Sequence, residues 1–207
     1  MLKNKDFDKK KVVVVGLTGG VASGKTTVVD IFTSKGAVRV DADKIAHAIL
    51  KDNKRIQQEI ITFFGKNILS NGQIDRKKLA SEVFSSKTRL EELCRIMHPE
   101  IMARIKKEVE LVNGGVVVID APLLIESGLN GYVDIVVLVS TTEELQIKRA
   151  VSRGISEMEA KGIILNQMPL SKKAGYADYI IDNTKNLSNL KKGAELTWKR
   201  IKEKKKS

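Results

Sequence analysis

Residues 19–26 match the pattern Gly19-x-x-x-x-Gly24-Lys25-Thr26. The apolar run Val12–Val15 precedes it, and a helix-forming stretch, Thr26–Ser34, follows. Strand, glycine-rich loop and helix in that order form a phosphate-binding loop. The loop's backbone N–H groups converge on phosphate oxygens, and the helix N-terminus adds partial positive charge. The geometry requires a strand with its C-terminal end open to solvent, hence an α/β sheet with ligands along that rim. Gly20, Ala22, Ser23, Gly24, Lys25, Thr26 and Thr27 are the candidate phosphate contacts. Lys25 would reach the β- and γ-phosphates of ATP, and the Thr26 hydroxyl would ligate Mg²⁺.

Five β-type runs follow from the pattern: Val12–Val15, Ala37–Val40, Val116–Ile119, Ile135–Val139 and Tyr179–Ile181. The first, third and fourth are almost wholly aliphatic, as strands buried on both faces of a parallel sheet are. Helical patterns alternate with them, which predicts a doubly wound α/β fold with a five-stranded parallel sheet flanked by helices. The spacing is uneven. Val40 and Val116 are separated by 75 residues, far more than one crossover needs. That stretch predicts helices over Lys44–Lys51, Lys54–Phe64, Asp75–Phe84 and Thr88–Val112, a turn at Gly72, and a helix start or kink at Pro99. A second insertion, Ser140–Asp178, predicts helices over Glu143–Arg153 and Glu157–Gln167 with a break at Gly154. The expected organisation is a core of 1–43, 113–139 and 179–207, a helical subdomain over 44–112, and a lid over 140–178.

Charge separates the body from the ends. The net charge is +12, but residues 1–11 hold five Lys against two Asp, and residues 185–207 hold nine Lys/Arg against two Glu. Residues 12–184 are therefore nearly neutral, and the lysine-rich end is expected to be a solvated helix end or a frayed terminus. Aromatics are only 4% of the chain, too few for a base-stacking surface, so nucleic acid is not the expected partner. No apolar run approaches a membrane span, and the short run after the N-terminal lysines lacks a signal peptide's length and cleavage site. The single Cys94 excludes an intrachain disulfide and suits a reducing cytoplasm; its helical setting predicts a buried small residue.

Candidate chemistry lies at the strand ends. Asp41-Ala-Asp43 follows the second run; one carboxylate there could orient an attacking hydroxyl and take its proton, the other could cap the next helix. Asp120 ends Val116–Ile119 as the acid of a Walker B strand does, which makes it a candidate Mg²⁺ ligand. Arg149 and Arg153, four apart on one predicted helix face, could close over a transferring phosphate. His47 and His98 have no Cys/His neighbours in sequence and are expected to cap or pack. No guanine-recognition motif, Ser/His/Asp set or dinucleotide fingerprint is present.

Several segments in order resemble dephospho-CoA kinases: Gly16-Leu-Thr-Gly-Gly-Val-Ala-Ser-Gly-Lys-Thr, Asp41-Ala-Asp-Lys-Ile-Ala, His98-Pro99, Asp120-Ala-Pro-Leu-Leu-Ile-Glu126, Gln167-Met-Pro-Leu and Ala177-Asp-Tyr-Ile-Ile-Asp-Asn183. The resemblance covers about residues 12–185. It implies transfer of the ATP γ-phosphoryl group to the ribose 3′-hydroxyl of dephospho-CoA, the last step of coenzyme A synthesis. It also implies that Asp43 faces that hydroxyl. Lys25 and Arg149 would act on the phosphates, and Arg153 and Asn183 would lie by the nucleotide. His98, Pro99, Leu123 and Glu126 would border the acceptor cleft. Two departures stand out. His47 occupies a place where the family often has Arg, and Lys161-Gly162 falls where many relatives carry another Arg. The expectation is a monomeric cytoplasmic kinase. Another nucleoside or nucleotide kinase of this fold and, further off, a basic nucleic-acid-binding P-loop protein stay open as alternatives.

Overall fold

The computed structural model describes residues 12–84 and 86–204. The chain divides into two compact units, one formed by residues up to Val40 and from Val109 onward, the other by Asp41–Glu108. The first unit is built on a parallel sheet of five strands: β1 (Val12–Gly19), β2 (Ala37–Asp41), β5 (Gly115–Asp120), β6 (Ile135–Ser140) and β7 (Tyr179–Asp182). Their spatial order is β2-β5-β1-β6-β7. β1 is central, pairing in parallel with β5 (Leu17 beside Asp120) and with β6 (Gly19 beside Val139). From Val14 on, β1 is buried, as are nearly all of β5 and β6, which is why their sequences lack polar alternation. Because every strand runs the same way, Gly19, Asp120, Ser140 and Asp182 end along one edge.

Two helices share the core cluster with this sheet. α1 (Lys25–Ser34) contributes Val28, Val29 and Phe32; α9 (Leu187–Lys204) contributes Leu190, Ala194, Trp198 and Ile201. Phe32 and Trp198 meet with ring centroids 5.4 Å apart. Through Lys204 the lysine-rich end is a helix end with exposed lysines, the first of the two expected alternatives. Its buried positions at 190, 194, 197, 198 and 201 follow a helical stripe hidden among lysines, and that stripe docks the helix. The N-terminal lysine cluster and Lys205–Lys206 lie outside the described residues.

The insertion between β6 and β7 holds α6 (Glu143–Val151), α7 (Glu157–Leu165) and the short α8 (Leu170–Ala174), which sequence periodicity misses. α6 ends earlier than predicted. Gly154, at φ +87°, donates to the Val151 carbonyl while Ile155 N–H reaches back to Ala150, a Schellman closure. Arg153 therefore sits in the closing turn instead of on one helix face with Arg149.

The Asp41–Glu108 unit contains α2 (Ala42–Asp52), α3 (Lys54–Phe64), a two-residue-stranded hairpin of β3 (Leu69–Ser70) and β4 (Gln73–Ile74), α4 (Arg76–Phe84) and α5 (Lys87–Glu110), the last strand-proximal residues excepted. Side chains cap these helices in turn: Asp41 accepts from Lys44 N–H, Asn53 from Ile56 N–H and Ser86 from Arg89 N–H. Asp75 accepts from the Lys77 and Lys78 N–H groups, which hold its carboxyl below the ordinary range. Asn71 and Gly72 both have positive φ, the requirement of a tight two-residue hairpin turn. α5 runs through Pro99 without restarting, so Pro99 is an interior residue. The helix forgoes one backbone hydrogen bond there and buries Ile96, Met97 and Ile105 on either side of it. Cys94, also on α5, is half-buried, less enclosed than its pattern suggested.

Candidate active site

The phosphate loop leaves β1 at Gly19 and enters α1 at Lys25. Gly24 takes the N-cap position at φ +99° with no side-chain cap, so the first N–H groups of α1 are left for a ligand. A Cβ at Gly24 would lie 2.4 Å from Asn183 Nδ2, so close approach as well as φ demands glycine. Ala22 also adopts positive φ, at 51°. Thr26 is exposed in the first turn of α1, Gly20 and Thr27 are half-buried, and Ser23 is buried.

Asn183 fastens the loop from across the sheet. Its Nδ2 donates to the Ser23 carbonyl at 2.7 Å, and its own carbonyl accepts from Thr141 Oγ1 and from the Arg149 guanidinium, each at 3.0 Å. Arg149 also approaches Thr141 Oγ1 at 3.4 Å. Two residues assigned separately to the nucleotide are thereby brought together. Arg149 braces the wall that carries Asn183, whereas Arg153 is exposed.

Beside the loop, Lys25 Nζ pairs with Asp120 Oδ1, and Arg39 Nη2 lies 2.6 Å from Asp120 Oδ2. Asp120 is only 3% exposed, so this buried carboxylate at the end of β5 is matched by two cations. Arg39 was not singled out from the sequence. Its one signal was a charge inside the run Ala37-Val38-Arg39-Val40.

The segment after Asp120 carries a second buried pair. Lys173, on α8 and fully buried, donates to Glu126 Oε1 at 2.9 Å and to the Pro122 carbonyl at 2.6 Å. That carbonyl also accepts from Thr18 Oγ1 at 3.0 Å, and Glu126 Oε1 accepts from Met168 N–H at 2.9 Å. Burial pushes the Lys173 ammonium below the ordinary lysine range, against the pull of Glu126. Glu126 is thus an anchor for the 167–174 segment; Leu123, in the same turn, is partly buried. Lys173→Met would leave Glu126 buried without its cation, at a cost of about 3 kcal/mol. The expected result is a melting temperature lower by roughly 6–12 °C in thermal denaturation; an unchanged value would remove the pair from the account.

In the other unit, the Asp41-Ala-Asp43 alternatives divide by geometry. Asp41 Oδ1 accepts from Lys44 N–H at 3.0 Å and caps α2, whereas Asp43 is exposed in that helix's first turn. His98 and Pro99 lie within α5, and partial burial lowers the His98 pKa.

Oxygen donors at Thr26 and Asp120 suit a hard cation such as Mg²⁺. Among the described residues no three His, Cys, Asp or Glu side chains cluster as a metal site. No helix among these residues is long and apolar enough to cross a membrane.

The family profile CoaE, dephospho-CoA kinase, matches residues 13–189. The dephospho-CoA kinase of Carboxydothermus hydrogenoformans is 43% identical over 181 residues, covering 85% of this chain and 88% of its own. That of Fusobacterium nucleatum is 41% identical, covering 89% and 96%. Among solved structures, TT1252 from Thermus thermophilus superposes with a TM-score of 0.78 at 30% identity, covering 92% of this chain and 98% of that one. Dephospho-CoA kinase from Campylobacter jejuni does so with a TM-score of 0.63 at 32% identity, covering 92% and 97%. With the phosphate loop, the Asp120 strand end and the sheet in place, the chain belongs to the dephospho-CoA kinase family.

Proposed function

We propose that the chain transfers the γ-phosphoryl group of ATP to the 3′-hydroxyl of dephospho-CoA, yielding coenzyme A and ADP. The observation that carries the nucleotide half of this reading is Lys25 on Asp120 at the open edge of the sheet, directly after the phosphate loop. The acceptor half rests on family membership.

The loop N–H groups and Lys25 hold the phosphates. Thr26 and Asp120 are the residues for Mg²⁺, which, when bound, neutralises charge on the β- and γ-phosphates. Asp43 orients the 3′-hydroxyl and receives its proton as the oxygen bonds to the γ-phosphorus. The bond from that phosphorus to the bridging oxygen breaks in line, and ADP leaves with the electron pair. The 44–112 insert serves as the acceptor subdomain, with His98 and Pro99 beside the acceptor and Leu123 and Glu126 in the turn that borders it. Residues 140–178 serve as a lid that excludes water from the transfer. Closure of the lid brings Arg149 or Arg153 over the γ-phosphate to meet the developing charge, and Asn183 lies beside the nucleotide. The protein acts as a cytoplasmic monomer.

Arg149→Ala and Arg153→Ala are each expected to lower turnover by more than about threefold, roughly 0.7 kcal/mol. If neither does in steady-state assays, the lid arginines have no part in transfer. The reading as a whole is tested by ADP release with dephospho-CoA, AMP, CMP and dTMP as separate acceptors. Only dephospho-CoA is expected to support fast release; preference for a nucleoside monophosphate would replace it with another kinase activity.

A further inference from the structure

Arg39 lies on the edge strand β2, where a charged side chain ordinarily guards against pairing with another sheet. Here its guanidinium is engaged instead, with Nη2 2.6 Å from Asp120 Oδ2. Lys25 takes the other oxygen, Oδ1. One buried carboxylate thus holds two cations, one on each oxygen.

The two cations differ in what else they must do. Lys25 opens α1 on a flexible stem and, in the proposed reaction, has to leave Oδ1 for the nucleotide phosphates. Arg39 is fixed on a strand of the same sheet as Asp120, with a planar fork that holds a carboxylate in a set orientation. A buried carboxylate stripped of its sole cation is strongly disfavoured. Were Lys25 the sole partner of Asp120, that cost would fall on nucleotide binding.

We infer that Arg39 is a positioning residue for the nucleotide site: it stays on Asp120 Oδ2 as the standing counter-charge and so allows Lys25 to exchange Oδ1 for phosphate. The exchange is non-covalent and moves no proton. The inference rests on the reading of the loop as a nucleotide site.

The test is calorimetric titration of the full chain with ADP in EDTA, which reads binding apart from metal and turnover. Arg39→Met is expected to weaken ADP binding by at least about fivefold, since Lys25 must then abandon a carboxylate with no other cation. Arg39→Lys should recover most of the loss. In an Asp120→Asn background there is no charge to leave behind, so adding Arg39→Met should change affinity by less than about twofold. Should Arg39→Met fail to fold by circular dichroism, Arg39→Gln takes its place with the same expectation. Parent-like affinity in the folded variant would overturn the inference. So would an equal loss in the Asp120→Asn background, because Arg39 would then act on phosphate by its own charge. A parent chain that does not bind ADP would overturn the nucleotide reading itself, a different result from parent-like binding by the variant.

Discussion

Asp43→Asn is expected to lower kcat by roughly 10²–10⁴, the range for loss of a general base, with ATP affinity close to that of the parent. The reasoning begins with Asp41. Its carboxylate already accepts from Lys44 N–H and closes the first turn of α2. Of Asp41 and Asp43, Asp43 is the exposed one, placed in the first helical turn that Asp41 caps. Asparagine keeps the size and polarity of the side chain but takes up no proton. Asp41→Asn is the matched control. Asparagine caps about as well as aspartate, so this variant should fold and turn over like the parent. Equal losses in both variants would mean that the motif matters for helix α2 and that Asp43 has no chemical role.

Lys25→Ala is expected to reduce turnover by about 10³, as when a preorganised charge facing the transition state is removed. The fold should survive. Asp120 keeps Arg39 at 2.6 Å, so losing Lys25 does not leave the buried carboxylate alone. Circular dichroism and thermal melting should stay near parent values while transfer is lost. Retained activity would separate the phosphate loop from the reaction.

Much of this frame could be read in the sequence, for identifiable physical reasons. Val116–Ile119 and Ile135–Val139 are buried on both faces, so their residues had to be continuously apolar. Lys54–Phe64 is a helix with the predicted limits because Asn53 caps it and Gly65 ends it. The parts that escaped are short or depend on distant partners. α8 has only five residues, too few to show a period, and the β3–β4 hairpin has two residues per strand. The buried stripe of α9 is obscured by the lysines between its members.

The same division holds at the site. The phosphate loop and Asp120 announce themselves through local pattern. Arg39 does not, because its partner is 81 residues away. Nor does Lys173, since nothing local distinguishes a fully buried lysine from the solvated ones beside it. Asn183 could be placed near the nucleotide by resemblance, but its side-chain bond to the Ser23 carbonyl spans 160 residues and is visible only in three dimensions.

The central claim is transfer from ATP to one defined hydroxyl, and identifying the product tests it most directly. The purified full chain would be incubated with ATP, Mg²⁺ and dephospho-CoA, and the products resolved by mass spectrometry and phosphorus NMR. The account predicts ADP and coenzyme A in equal amounts, with the new phosphate on the ribose 3′-oxygen. ADP release without a phosphorylated acceptor, or phosphate on any other oxygen, would contradict it.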